Sequence, residues 1–65
     1  MKIDLNNEAL QITENTHLSD FLNHQGYSKA FAVSLNGKFI PQSLHAEIML
    51  KEKDRIDIIE PMQGG

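Results

Sequence analysis

A single stretch of this chain carries a helical stripe, and the rest must be arranged to cover it. Leu18, Phe21 and Leu22 fall at i, i+3 and i+4, with Gln25 or Tyr27 near the next turn. That spacing puts one apolar face on a helix over residues 16–25. Thr16 is placed to cap its start through the hydroxyl. Asp20 lies in the first turns and His24 in the last, each on the side the helix dipole favours. Gly26 suits the left-handed position that stops a helix. So short a helix does not persist alone in water. Its natural cover is a sheet with one apolar face.

The strands for that sheet are visible on both sides. Met1, Ile3 and Leu5 alternate with Lys2 and Asp4, and Leu10 and Ile12 resume the alternation after Asn6-Asn7. Period 2 interrupted by residues that tolerate left-handed backbone predicts a hairpin over residues 1–13. Phe31, Val33 and Leu35 alternate with Ala32 and Ser34, and Asn36-Gly37 then calls for a type I′ turn into Lys38-Phe39-Ile40. Pro41 ends that strand's capacity to donate. Residues 54–60 form the last strand, with Ile56 and Ile58 on one face and Asp57 and Ile59 on the other, until Pro61 breaks it. Between them, residues 42–53 have no clear period. Leu44, Ile48, Met49 and Leu50 are apolar anchors for an irregular turn and a loop.

The order β, β, α, β, β, β, with the first and last strands able to pair side by side in the centre, supports one architecture. It is an α+β fold of the β-grasp (ubiquitin-like) type: a mixed sheet packed on one main helix, with a flexible C-terminal Gly-Gly tail. Residues 1–65 make a single domain in this reading, and residues 62–65 are the projecting tail.

Composition narrows the function. At 65 residues the chain buries only about 60% of its unfolded surface, which leaves little material for a pocket as well as a core. Cysteine is absent, so a disulfide framework, a thiolate nucleophile and a zinc ribbon are excluded. Nine acidic against six basic residues give a net charge of −3, the wrong balance for a nucleic-acid binder. No apolar run approaches the ~20 residues of a membrane helix, and the start MKIDLNN lacks the layout of a signal peptide. A cytoplasmic protein without a membrane role is the expectation.

Several polar groupings suggest chemistry without the geometry for it. His17, Asp20 and His24 share a helix face, but the two histidines are about 10.5 Å apart along the axis, too far for one ion. They read as a solvated face, and no metal site is expected. Ser19 beside His17 and Asp20 is too local for a catalytic triad. Glu52-Lys53-Asp54-Arg55 reads as a solvated turn, and His45 has no evident partner.

The joint order of Thr16-His17-Leu18, Ala32-Val33, Asn36-Gly37, Pro41, Asp54-Arg55-Ile56 and the final Gly64-Gly65 resembles the ThiS family, the sulfur carriers of thiamine biosynthesis. The resemblance spans almost the whole chain. Where that family often has a Gly-Asp turn before the last strand, this chain has Lys53-Asp54.

A Gly-Gly end alone is a modest signal, expected by chance at roughly 0.5%. On a β-grasp body it means more. Without a Cβ, Gly64 and Gly65 can pass through a narrow channel and take dihedrals closed to other residues. Four extended residues, Met62, Gln63, Gly64 and Gly65, reach at most ~13 to 14 Å, enough to enter a partner's site. A free carboxylate is a poor electrophile, so Gly65 would need activation, for instance by adenylation.

The resemblance implies the rest. An E1-like, ThiF-type adenylyltransferase would form the Gly65 acyl-adenylate, using ATP bound by that partner and none bound here. A cysteine-based sulfurtransferase would supply a persulfide sulfur, leaving a thiocarboxylate on Gly65. A ThiG-type thiazole synthase would accept that sulfur. The protein is then a cosubstrate with no catalytic residues of its own. Apart from the resemblance, period 2 puts Ile59 on the open face of the sheet, where with Met62, joined by Phe39, it would form a docking patch for a partner. The alternatives are a molybdopterin-type sulfur carrier, a ubiquitin-like modifier, or a β-grasp module that binds without covalent chemistry.

Overall fold

The computed structural model describes residues 1–27 and 32–59. Five strands form one mixed sheet: β1 (Lys2–Leu5), β2 (Glu8–Gln11), β3 (Ala32–Leu35), β4 (Lys38–Phe39) and β5 (Arg55–Ile59), in the order β2-β1-β5-β3-β4. One α-helix, α1 (Leu18–His24), and a 3-10 segment, Gln42–Glu47, complete the elements among the described residues. Phe31, Glu60 and Pro61, assigned above to strand residues or a strand end, lie outside the described residues, as do Met62, Gln63, Gly64 and Gly65.

Both hairpins turn where the residue types require. Asn6 and Asn7 have φ of 49° and 69°, and Asn36 and Gly37 have 54° and 85°. Positive φ at both central residues is the condition for a turn whose twist matches its flanking strands. β1 pairs antiparallel with β2 and parallel with β5, and β5 pairs antiparallel with β3. The last strand is thus the central one, joining the two hairpins into a sheet.

Alternation along these strands sends Ile3, Leu5, Val33, Ile56 and Ile58 to one face, where all five are buried. Leu18, Phe21 and Leu22 of α1 cover them, joined by Ile40 and Leu50. Each such side chain contributes about 1.5 to 3 kcal/mol on burial.

The helix is shorter at its start than the apolar stripe implied. Its N-cap is His17, without a side-chain hydrogen bond to the helix. The Thr16 hydroxyl instead donates back to the Thr13 carbonyl at 2.7 Å. The entry is held by tertiary bonds: Leu18 N–H donates to the Ile48 carbonyl (2.8 Å) and Leu50 N–H to that of Thr16 (2.9 Å), around a β-bridge between His17 and Met49. His17 is accordingly half-buried, unlike the exposed Asp20 and His24. At the other end, Gly26 has φ of 87°. Its N–H donates to the Asn23 carbonyl and that of Tyr27 to Leu22, the Schellman pattern that satisfies otherwise orphaned carbonyls.

Residues 48–50 also account for the missing period of residues 42–53. The segment is locally extended, so Ile48 and Leu50 point inward and Met49 outward, 43% exposed. Leu44, on the outer side of the 3-10 segment, is 41% exposed. Neither Met49 nor Leu44 is therefore an anchor. His45 is buried, with Nε2 3.2 Å from the Ile40 carbonyl oxygen.

The turn before β5 is likewise more than a solvated loop. Asp54 is buried, and its carboxylate accepts from Lys51 N–H (2.7 Å) and Asn36 Nδ2 (3.0 Å). Glu52 accepts from Lys2 N–H at 3.0 Å. Lys53, whose N–H donates to the Lys2 carbonyl at 2.7 Å, has φ of 71°. The tight turn thus forms without a glycine, in a backbone region that a Cβ makes costly.

Candidate functional site

β5 leads directly to residues 60–65, so the site is built from what this strand presents and what holds it. Residues opposite one another in adjacent strands share a face. Ala32 faces Ile59, Ser34 faces Asp57, and Phe39 faces Ser34. All five therefore lie on the sheet face opposite α1. The two large ones are open to solvent, Ile59 at 66% and Phe39 at 61%. Two strand spacings, about 10 Å, separate their strands, and only the small side chains of Ala32 and Ser34 stand between. Ile59 and Phe39, both expected in a docking patch, are brought onto one surface. Their further companion, Met62, and the tail residues Gln63, Gly64 and Gly65 lie outside the described residues.

Beside this apolar half the same face is charged. Asp4 pairs with Arg55 in the β1–β5 register, and Arg55 Nε lies 3.4 Å from Asp57 Oδ2. The pair is largely exposed, so it adds little stability and mainly gives the face a polarity. A partner seated on Ile59 and Phe39 would meet these opposite charges at its rim.

Two asparagines hold β5 in place, and sequence reasoning saw them only as turn formers. Asn36 N–H donates to the Arg55 carbonyl (2.7 Å), while Arg55 N–H donates to Asn36 Oδ1 (2.8 Å). Asn6 N–H donates to the Ile56 carbonyl (2.9 Å), and Ile58 N–H donates to Asn6 Oδ1 (2.8 Å). In each case the backbone carbonyl has turned away with the hairpin, and the side-chain amide oxygen takes its place in the ladder. The signal that could have found them is the choice of Asn over Gly where φ is positive: Gly meets the backbone demand but offers no acceptor.

A separate groove of about 480 Å³ between β2 and α1 is lined by Ile12, Thr16, Asp20, Phe21, His24 and their neighbours. Among the described residues no group of three His, Cys, Asp or Glu side chains is placed to hold a metal. No helix among them is long and apolar enough to cross a membrane.

The family model and the solved structures point the same way. The model of the ThiS family matches residues 3–65. Among solved structures, the crystal structure of a thiamine biosynthesis protein (ThiS) from Geobacter metallireducens superposes with a TM-score of 0.85 at 20% identity, covering 100% of both chains. At that identity the likeness speaks for the fold, a β-grasp. No curated protein matches the sequence significantly.

Proposed function

Because this chain belongs to the ThiS family, and is therefore a sulfur carrier of thiamine biosynthesis and not an enzyme, we propose that the sulfur rides on the carboxyl carbon of Gly65. Carriers of this family work with ThiF-type and ThiG-type partners. The observation that supports the assignment is that the family match runs through residue 65, with Gly64 and Gly65 inside it.

The chemistry follows from the weakness of a carboxylate as an electrophile. In the ThiF-type enzyme a Gly65 carboxylate oxygen displaces pyrophosphate from the α-phosphorus of ATP, giving an acyl-adenylate. The terminal sulfur of a cysteine persulfide then displaces AMP from the carbonyl carbon. A second thiol cleaves the resulting S–S bond, releasing a disulfide and the Gly65 thiocarboxylate. The thiocarboxylate passes its sulfur to the thiazole synthase. Met62, Gln63 and Gly64 thread the partner's channel, with Gly64 supplying the slender backbone. ATP belongs to the partner, and the cytoplasm is the compartment in which this reading sets the chemistry.

Intact-mass measurement of protein recovered from its own cells tests the assignment. A gain equal to replacing one oxygen by sulfur is expected. Conjugates on lysines of other proteins would instead identify a ubiquitin-like modifier.

Docking falls to Ile59 and Phe39. Replacing Ile59 with Asp puts a charge in the apolar patch and should lower kcat/KM for adenylation about tenfold or more. Since Ile59 is exposed, the melting temperature should hardly move. Unchanged adenylation kinetics would remove Ile59 from the interface.

A further inference from the structure

We propose that Asn6 is a positioning residue for the sulfur-bearing terminus, clamping the exit of β5 where its neighbour β1 has already ended. This rests on the carrier assignment above. On its β3 side, β5 is paired through Ile59. On its β1 side the register covers only Arg55 and Ile56, because the chain turns away at Asn6. A parallel ladder continued by one step would set residue 6 opposite Asp57, donating to the carbonyl of residue 56 and accepting from the N–H of residue 58. Asn6 makes both bonds, the first with its backbone N–H (2.9 Å) and the second with Oδ1 (2.8 Å). Its side chain thus lengthens β1 by one hydrogen bond without lengthening the strand.

The bond to Ile58 lies one residue before Ile59, from which the docking patch and the route to Gly65 both start. Losing it frees one side of that exit while Ile59 stays paired to Ala32. Docking should then survive, and delivery of the carboxylate to the partner's reaction centre should suffer. The cost belongs in kcat more than in KM.

Position 6 makes two demands that substitutions separate. Asn6→Gly keeps the positive φ and deletes the acceptor, whereas Asn6→Asp keeps both. Asn7→Gly, at the other central position of the turn (φ 69°), controls for changes in the turn itself. The experiment measures amide exchange at Ile58 and adenylation kinetics with the ThiF-type enzyme. For Asn6→Gly, Ile58 exchange should quicken about tenfold. Its kcat should fall about tenfold, with KM within about twofold, because small misplacements of a reacting group carry large rate penalties. Asn6→Asp should restore both values and Asn7→Gly should alter neither. A merely structural role would lower the folded fraction and leave kcat per folded molecule intact. An unchanged kcat in Asn6→Gly, or an Ile58 amide as protected as in the unaltered protein, would overturn the proposal. Absence of adenylation in the unaltered protein would sink the carrier assignment and this inference together.

Discussion

Adding one residue after Gly65 should leave the protein folded and abolish the adenylation proposed for it. The extension converts the Gly65 carboxylate into a peptide carbonyl, which has no anionic oxygen to attack the α-phosphorus of ATP. The new terminal carboxylate sits one residue too far along a channel proposed to admit only slender backbone. None of the core residues is touched, since the buried cluster runs from Ile3 to Ile58. An addition that alters none of the buried side chains should change stability by no more than about 0.5 kcal/mol. Pyrophosphate release in the presence of the ThiF-type partner reports the first step, and a thermal melt reports the fold. An extended protein that still releases pyrophosphate at the normal rate would move the reactive group elsewhere and favour a non-covalent role.

Truncating Leu18 to Ala should cost about 2 to 5 kcal/mol, the range for deleting a buried leucine and leaving a cavity. Leu18 is fully buried at the first helical position. It follows His17, whose bridge to Met49 ties the helix entry to residues 48–50, and its own N–H donates to the Ile48 carbonyl. At about 0.05 to 0.15 kcal/mol per residue, a 65-residue domain has roughly 3 to 10 kcal/mol in total. The substitution therefore removes a large share of it. Urea unfolding followed by circular dichroism should show the midpoint falling to about half or less. The parallel change Leu44→Ala, at a leucine 41% exposed, should stay within about 0.5 kcal/mol. Equal losses from both would mean that the core is not centred where the helix meets the sheet.

That contrast also marks what was legible in the residues. Period 2 gave the strands, positive-φ residues gave both hairpins, and the Leu18-Phe21-Leu22 stripe gave the helix. These signals are local, so one short window carries each. Leu44 and Met49 were misjudged because their exposure depends on how residues 42–50 lie against α1, which no window contains. Asp54 looked solvated for a related reason. Its partners are the nearby Lys51 N–H and the distant Asn36 amide, and only the fold brings the latter close. The second roles of Asn6 and Asn36 were hidden most deeply. A side chain replaces a missing ladder carbonyl only where one strand outruns its neighbour, and that stagger belongs to the assembled sheet. The exposure of Ile59 was better marked, since alternation alone put it on the face opposite Ile56 and Ile58.

The central place of β5 has a consequence for biosynthesis. The two hairpins are not neighbours in the sheet; each is bonded to the strand made from residues 55–59. A nascent chain that has not yet emptied those residues from the ribosome holds two separate ribbons with exposed apolar faces and no common sheet. Stalled or prematurely released products ending before Arg55 should thus be prey for proteases. Assembly of the body waits on residues 55–59, and a copy released before them holds two hairpins and no completed sheet.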